Sequence, residues 1–419
     1  MSYVATEQSP APTAAAAREP IVSKPARNAA QTASGKASRI YGSLDAWRGL
    51  AALAVIYFHA AEKVIDRNPA ESHSLLYAPG MFGGVGVQVF FVISGFCIAN
   101  AVCATLTLKR TTKSYAVARV RRIFPPMWIS LVFYTLFSIG GMILMRHGTL
   151  GANFARVMPV DLRQVGLKFW FANLTLTQPW LNQQFLSGVC WTLCYEISFY
   201  TIMALLMSVR LFGGGVRAML NLAHLTSAAA LVALLLFPGS VPFPLDMWPQ
   251  FGLGVLVYDL LTHRRNKQAA IAGITMVLLT LLFIVKDSTF VGVTGLREPS
   301  RLTYSVSLSF AALLLVLRAY DAVIVKLLPV RGLMQVGRAS YSIYLTHGLC
   351  LMMLHLVMKL AHLEQAIFLQ FAASFVLSVA LGFVFFSFAE RPFLNSAKPA
   401  NRNAPADEPV TAATLAPAP

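Results

Sequence analysis

The sequence predicts an all-α integral membrane protein with about ten transmembrane helices and both termini in the cytoplasm. Hydrophobic residues make up 57% of the 419 residues and charged residues only 12%, whereas an average soluble domain has about 25% charged residues. Ten segments approach the roughly 17–25 apolar residues that a helical span needs. They are residues 44–62, 84–105, 123–145, 188–208, 218–237, 244–262, 268–286, 302–320, 338–358 and 366–388.

The distribution of basic residues sets the predicted orientation. With the N-terminus in the cytoplasm, 24 of the 34 Lys and Arg residues fall on the cytoplasmic side, as the positive-inside rule requires. This arrangement places both termini inside and needs an even number of spans. It also accounts for most of the +17 net charge, so we expect the lipid bilayer and no nucleic acid as a partner.

The chain divides into one membrane domain, residues 41–395, and two tails. Residues 1–40 and 396–419 are rich in Ala, Pro, Ser and Thr, and segments of this composition cannot bury a core. We expect both tails to be disordered and cytoplasmic. The five Cys residues lie in apolar stretches and fit neither a disulfide framework nor a zinc site.

The first segment carries polar residues on one face of its helix. Arg48 and His59 are eleven residues apart, which is close to three full turns and places them about 16 Å apart on the same side. Asp45 lies on that side as well. Charged groups and imidazoles are costly to bury in a bilayer, so this polar stripe indicates a functional site.

The second and third segments add two further candidates. Small residues around Ser94 indicate tight packing between helices, and Ser94 is also a candidate to line a cavity. Before the third segment, Arg119 and Arg122 share one face of a short helix that Pro125 is expected to end. The pair is either a positive-inside anchor or a phosphate clamp, because guanidinium groups suit phosphate oxygens.

The fourth and ninth segments supply the remaining polar groups. Glu196 is expected about 12 Å inside the outer end of its helix, in the same half of the bilayer as His59. It is either a partner of that imidazole or a member of a structural ion pair. Ser340, Tyr344 and His347 follow i, i+4, i+7 spacing and therefore form one polar stripe, which hydrogen bonding between helices would also explain.

In combination, these motifs resemble the membrane acyltransferase-3 family, in the family's order and over about residues 40–395. The form of the Trp191 motif looks closest to the branch that O-acetylates bacterial exopolysaccharides, and less like the branch with an additional C-terminal esterase-like domain. The motif residues are Leu44-Asp45 with Arg48-Gly49 and His59, Phe90-Phe91-Val92 with Ser94-Gly95-Phe96, Arg119 and Arg122 with Pro125 and Trp128, Trp191-Thr192-Leu193 with Glu196, and Ser340-Tyr341 with Ile343-Tyr344-Leu345 and His347.

The resemblance implies a multi-pass O-acyltransferase of the bacterial inner membrane. Such an enzyme would move an acetyl or other short acyl group from cytoplasmic acetyl-CoA to a hydroxyl of a cell-surface or exported polysaccharide, or of its lipid-linked precursor. The polysaccharide-biosynthesis machinery would be a further partner, and no metal is required.

The residues that match the family's motifs are given the following roles as a hypothesis from their chemistry. His59 is the catalytic residue, either as general base on the acceptor hydroxyl or as a nucleophile that forms an acyl-imidazole. Asp45 or Glu196 would orient its ring. The phosphates of CoA are assigned to Arg48, Arg119 and Arg122. The substrate-binding side chains are Ser94, Trp191, Tyr341, Tyr344 and His347.

The main alternative is a transporter or flippase of a lipid-linked glycan. Its buried Asp, Arg, His and Glu residues would then line a proton or substrate pathway. The sequence shows no convincing inverted repeat and no matching pair of broken helices, which are typical of transporters. A structural subunit of a polysaccharide machine is less favoured still.

Overall fold

Each of the ten apolar segments is a helix in the computed structural model, which describes residues 40–150, 158, 160–209, 215–286, 299–363 and 365–395. Apart from residue 40, the two predicted tails lie outside these ranges. The ten long helices are α1 (Leu44–Arg67), α2 (Gly86–Thr107), α3 (Thr112–Arg146), α4 (Cys190–Val209), α5 (Gly215–Leu236), α6 (Trp248–Thr262), α7 (Lys267–Lys286), α8 (Arg301–Leu317), α9 (Ser340–Leu360) and α10 (Ile367–Phe385).

Seven of these helices, α2, α3, α4, α5, α7, α9 and α10, are long and apolar enough to cross a membrane. Helix α8 is also apolar but shorter. Helix α6 has only 15 residues, and 12 of them are buried, as expected for a helix in the centre of a bundle. The protein is therefore a multi-pass membrane protein, and the predicted count of ten spans with both termini inside stays a prediction.

Aromatic rings connect α6 to its neighbours α2 and α4. The Phe251 ring stacks on Phe91 with centroids 4.6 Å apart and on Phe199 with centroids 4.8 Å apart. Trp248, one turn earlier on α6, lies 4.3 Å from the Phe199 ring. Offset aromatic pairs add stabilisation to the burial of their large apolar surfaces, so this column fixes the spacing of three helices around the bundle centre.

Glycines allow α2 and α6 to approach each other at backbone distance. A Cβ atom on Gly95 would lie 1.9 Å from the carbonyl oxygen of Phe251, and one on Gly254 would lie 1.9 Å from that of Val92. No larger residue fits at either position without moving a helix. The interpretation of the small residues around Ser94 as a packing surface is thereby confirmed.

Two contacts fix the N-terminal half of α1. The carboxylate of Asp321 accepts hydrogen bonds from the backbone N–H groups of Gly42 at 2.7 Å and Ser43 at 2.9 Å. Those N–H groups precede the first turn, and an anion there also complements the helix dipole. Further along, α1 packs against the short helix Leu328–Arg338, where a Cβ atom on Gly337 would lie 1.6 Å from the Asp45 carbonyl oxygen.

The predicted break at Pro125 is wrong, because α3 continues through Pro125 and Pro126 as one helix of 35 residues. Prolines are tolerated in membrane helices when a neighbouring helix satisfies the disturbed backbone groups. Pro125 and Pro126 remove the donors to the carbonyls of residues 121 and 122. At the next residue the hydroxyl of Tyr341 on α9 donates to the Ile123 carbonyl at 2.7 Å, which connects α3 to α9 beside the prolines. Arg119 and Arg122 therefore lie within one long continuous helix and not in a short helix that ends at Pro125.

Replacing Gly337 with alanine is expected to destabilise the protein, because the new methyl group collides with the α1 backbone. We expect a loss of about 1–3 kcal/mol, typical of overpacking. Gly332→Ala on the same short helix is the matched control, since a Cβ atom there meets nothing within 4 Å. Thermal unfolding in detergent should show a lowered midpoint for Gly337→Ala only, and equal midpoints for the two variants would contradict the close approach.

Candidate active site

Six of the eleven predicted site residues line one cavity of about 590 Å³ between α1, α2, α3, α4 and α9. The remaining lining is mostly apolar, from residues such as Val87, Phe90 and Leu193. The six predicted residues are Arg48, Ser94, Arg122, Glu196, Tyr341 and Tyr344. Helices distant in sequence thus bring two guanidinium groups and one carboxylate into an otherwise apolar enclosure.

The arginines on the cationic side of the cavity make only weak contacts with neighbouring side chains. Arg48 lies 3.9 Å from Asp45, one turn away on α1, at the limit for an ion pair. The Arg119 guanidinium lies over the ring of Tyr200, 5.5 Å from its centroid, in cation–π geometry. The Tyr200 hydroxyl in turn donates to Glu196, so this tyrosine connects the arginine pair on α3 to the carboxylate on α4.

A second carboxylate, Glu390, acts on the same arginines and was missed in the sequence. It ends a π-helical turn, Phe386–Glu390, that follows α10, and it is buried. The Ser342 hydroxyl donates to its Oε2 atom at 2.6 Å, and Arg122 and Arg48 are the cations whose charges act on it. Turns of this type often occur at functional sites, but no sequence signal predicts one here.

A pair of histidines lies beside this cavity. The rings of His59 on α1 and His347 on α9 are stacked, with centroids 5.3 Å apart and an interplanar angle of 27°. The Nδ1 atom of His59 lies 3.2 Å from Oε2 of Glu62. Tyr344, which lines the cavity, has its ring centroid 5.6 Å from that of His347. The histidine pair and the cavity are therefore adjacent along α9.

The structure corrects the expected partners of His59. Glu62, one turn further along α1, binds the imidazole, whereas Asp45 pairs with Arg48 and Glu196 accepts from Tyr200. Asp45 is fourteen residues before His59 on one helix, which corresponds to about 21 Å. The i, i+3 spacing of His59 and Glu62 is the sequence signal that could have identified this pair.

The two cavity tyrosines use their hydroxyl groups to hold helices together. The Tyr341 hydroxyl is bound to α3 as described above. The Tyr344 hydroxyl accepts from Thr192 at 2.9 Å and donates to the Val189 carbonyl at 3.3 Å. Both tyrosines therefore present ring surface to the cavity. Trp191, the other predicted aromatic residue, lies behind the lining with its ring 6.2 Å from Phe91.

Another polar cluster lies between α5 and α6, away from the cavity lining. The buried carboxylate of Asp259 is bound by Arg217 at 2.6 and 2.8 Å, by His224 at 2.9 Å and by His263 at 3.0 Å. This set satisfies a buried charge and connects the two helices. Within the part of the chain that the structure describes, no group of three or more His, Cys, Asp or Glu residues could hold a metal ion.

Comparison with known proteins assigns the family. Residues 41–387 match the acyltransferase-3 family model, described as an acyltransferase domain. The chain belongs to this acyltransferase family. This membership makes the protein a member of a membrane acyltransferase family, and it favours an enzyme over the transporter that the sequence left as an alternative.

One curated relative is similar to a short part of this acyltransferase. The peptidoglycan O-acetyltransferase OatA of Listeria monocytogenes is 28% identical over 99 residues. These residues are 23% of this chain and 14% of the relative, so the chain spans a small part of that protein. No solved structure matches the chain. The expected closeness to the exopolysaccharide branch stays a prediction.

Glu62→Gln is expected to slow acyl transfer by about tenfold or more, because the amide retains an oxygen acceptor for His59 but loses the negative charge that stabilises a protonated ring. Asp66→Asn, one turn further along α1, is the matched control: Asp66 forms an exposed pair with Lys63 at 3.9 Å and should leave the rate unchanged. Label transfer from a radioactive acyl donor measures both rates. Equal rates of acyl transfer in the two variants would show that Glu62 has no role in the reaction.

Proposed function

We propose that this membrane enzyme transfers an acetyl or other short acyl group from cytoplasmic acyl-CoA, with acetyl-CoA as the expected donor, to a glycan hydroxyl at the opposite membrane face. The observation that carries the proposal is the arrangement on α1. Arg48 lines the cationic cavity, and His59 lies about 16 Å further along the same helix, stacked on His347 beside that cavity. One helix thus connects a site for an anionic donor to a site for proton transfer.

The arginines suit the phosphate groups of the donor. Guanidinium forks bind phosphate oxygens through two hydrogen bonds, and Arg48 and Arg122 both line the cavity. The 3.9 Å pair between Arg48 and Asp45 is weak enough for a phosphate to replace it. Arg119, held by the Tyr200 ring, adds positive charge from the next turn of α3. The acyl end of the donor would then extend along the cavity toward His59.

The His59–Glu62 pair supplies the chemistry of the transfer. With Glu62 holding Nδ1, the Nε2 atom of His59 is available to take a proton from the acceptor or to attack the thioester carbonyl. In both routes positive charge develops on the imidazole, and the adjacent carboxylate stabilises it. Asp45 and Glu196, which the sequence placed in this role, act on the arginine side of the cavity instead.

The acceptor is proposed at the level of a class. A relative named as a peptidoglycan O-acetyltransferase and the exopolysaccharide-like sequence motif both favour a hydroxyl of a bacterial surface or exported polysaccharide, or of its lipid-linked precursor. The aromatic surfaces of Tyr341 and Tyr344 would contact this substrate, and Trp191, which lies behind the lining against Phe91, would support that surface. The bacterial inner membrane, cytoplasmic termini and an association with polysaccharide-biosynthesis machinery complete the proposal.

The function is tested by reconstituting the purified protein in proteoliposomes with radiolabelled acetyl-CoA and candidate polysaccharides. We expect label to appear on a polysaccharide, and His59→Ala to abolish this transfer while the protein still inserts and folds. Transfer at the normal rate in His59→Ala would overturn the assignment of the reacting group. Movement of a lipid-linked glycan without use of acetyl-CoA would support a transporter instead.

Arg122→Ala is expected to raise the KM for acetyl-CoA by about tenfold or more, since one charge-assisted phosphate contact is worth about 1.5–3 kcal/mol. Arg121→Ala is the matched control. It removes the same charge from the same turn of α3, but Arg121 is exposed and does not line the cavity. Steady-state kinetics should distinguish the two variants. Equal KM values would contradict phosphate binding by Arg122 and would favour its alternative role as a positive-inside anchor.

A further inference from the structure

The His347 ring has one nitrogen bound and one nitrogen without a partner. It is buried, with 1% of its surface exposed, and its Nδ1 atom lies 2.7 Å from the Tyr344 carbonyl oxygen. A carbonyl oxygen can only accept, so Nδ1 carries the hydrogen and the neutral ring has its lone pair on Nε2. Among the described residues, no hydrogen-bond partner reaches Nε2.

An unsatisfied nitrogen at this depth is costly, about 1–3 kcal/mol in ordinary protein interiors. Several other buried side-chain atoms among the described residues also lack a partner, but His347 is the residue whose ring stacks on His59, so its free nitrogen lies where a reacting group is expected. Hydrogen bonding to an oxyanion does not explain this free nitrogen, because an atom without a hydrogen cannot donate. Acceptance of a proton does provide a functional explanation, because a general base requires a lone pair held in a fixed direction. This role differs from the substrate-binding role that the sequence analysis gave to His347.

His59 has the same arrangement on the other side of the stack. Its Nδ1 atom is held by Glu62 at 3.2 Å, which leaves its Nε2 as the reactive nitrogen. Two imidazoles, each anchored through Nδ1, thus lie face to face with centroids 5.3 Å apart. A single base would suffice for direct transfer from the donor to the hydroxyl. Two bases are needed when one of them becomes covalently occupied.

We infer that His347 is the base of the second half-reaction, in which the acyl group leaves His59 for the acceptor. This role rests on the proposed function. In the first half-reaction, Nε2 of His59 attacks the thioester carbonyl, the C–S bond breaks and the CoA thiolate leaves. Nε2 of the acylated His59 then has no free lone pair, so another group must take the hydroxyl proton.

In the second half-reaction, the acceptor oxygen attacks the acyl carbon while Nε2 of His347 takes the hydroxyl proton. The ester C–O bond forms, the bond from the acyl carbon to His59 breaks, and His59 recovers its lone pair. His347 then releases the proton to solvent, which supplies the proton that the CoA thiolate takes up. One proton thus passes from the hydroxyl to the thiol, and both rings return to their starting state.

His347→Asn separates this role from a purely structural one. The asparagine amide nitrogen can replace Nδ1 as donor to the Tyr344 carbonyl, but the side chain has no equivalent of the basic Nε2. His355→Asn is the matched control, because His355 lies two turns further along α9 and contacts Arg67 near the end of α1. Both variants exchange a histidine for an asparagine on the same helix.

The experiment follows radiolabelled acetyl-CoA in proteoliposomes and measures label on the protein and label on the polysaccharide separately. In His347→Asn we expect the protein to be acylated at the wild-type rate. The label should then stay on the protein longer, and its transfer to the polysaccharide should be slowed by about 100-fold, which is a usual contribution of a general base. His355→Asn should leave both steps unchanged. If His347→Asn is unstable in thermal unfolding, His347→Gln is measured in the same way.

Three results would overturn the inference: normal transfer in His347→Asn, equal loss of protein acylation and transfer in folded variants, or wild-type transfer without any label on the protein. The last result would leave the proposed function intact and assign His59 to direct base catalysis. By contrast, a wild-type protein that takes no acetyl from acetyl-CoA at all would contradict the proposed function itself, before any variant is compared.

Discussion

The hydrogen bonds from Gly42 and Ser43 to the carboxylate of Asp321 fix where α1 begins, and the site depends on that position. Helix α1 carries both the arginine of the cavity and the histidine beside it, so a shift along its axis would move both groups together. The backbone contact at Gly337 prevents such a shift, because α1 and the short helix Leu328–Arg338 meet without intervening side chains. Arg48 and His59, which are about 16 Å apart on α1, therefore keep a fixed position relative to the other helices.

The cost of burying polar groups explains how the remaining side chains are used. Tyr341 and Tyr344 satisfy backbone and hydroxyl groups on α3 and at the start of α4, so they organise the cavity and are not free to react. Ser342 is similarly committed to Glu390. The unpartnered Nε2 of His347 differs from these groups, and its ring also lies in the stack with His59 beside the cavity.

The features of the fold and the site that depend on local sequence pattern could be predicted from the sequence. The ten helices follow from apolar length, and the shared face of Arg48 and His59 follows from helical geometry. The prediction failed at Pro125 because α3 is held in the bundle by contacts with residues distant in the chain, such as the hydrogen bond from Tyr341 beside the prolines, and a local pattern does not contain such contacts. Asp321 and Glu390 were missed for the same reason, since their partners lie far apart in the chain. The pairing of Glu62 with His59 could have been predicted from the sequence, because the two residues are only three positions apart on one helix.

Tyr344 lines the cavity and also lies beside the histidine pair, and the contacts that hold it limit how an acyl group can pass. Its ring lies 6.0 Å from Phe90 on one side and 5.6 Å from His347 on the other, while its hydroxyl is held by Thr192 and Val189. With the hydroxyl tied to α4, the ring cannot swing aside without breaking two buried hydrogen bonds, each worth about 1 kcal/mol. A slender arm that slides along the ring face meets no such cost, which favours a linear thioester over a bulky sugar as the group that enters from the arginine side.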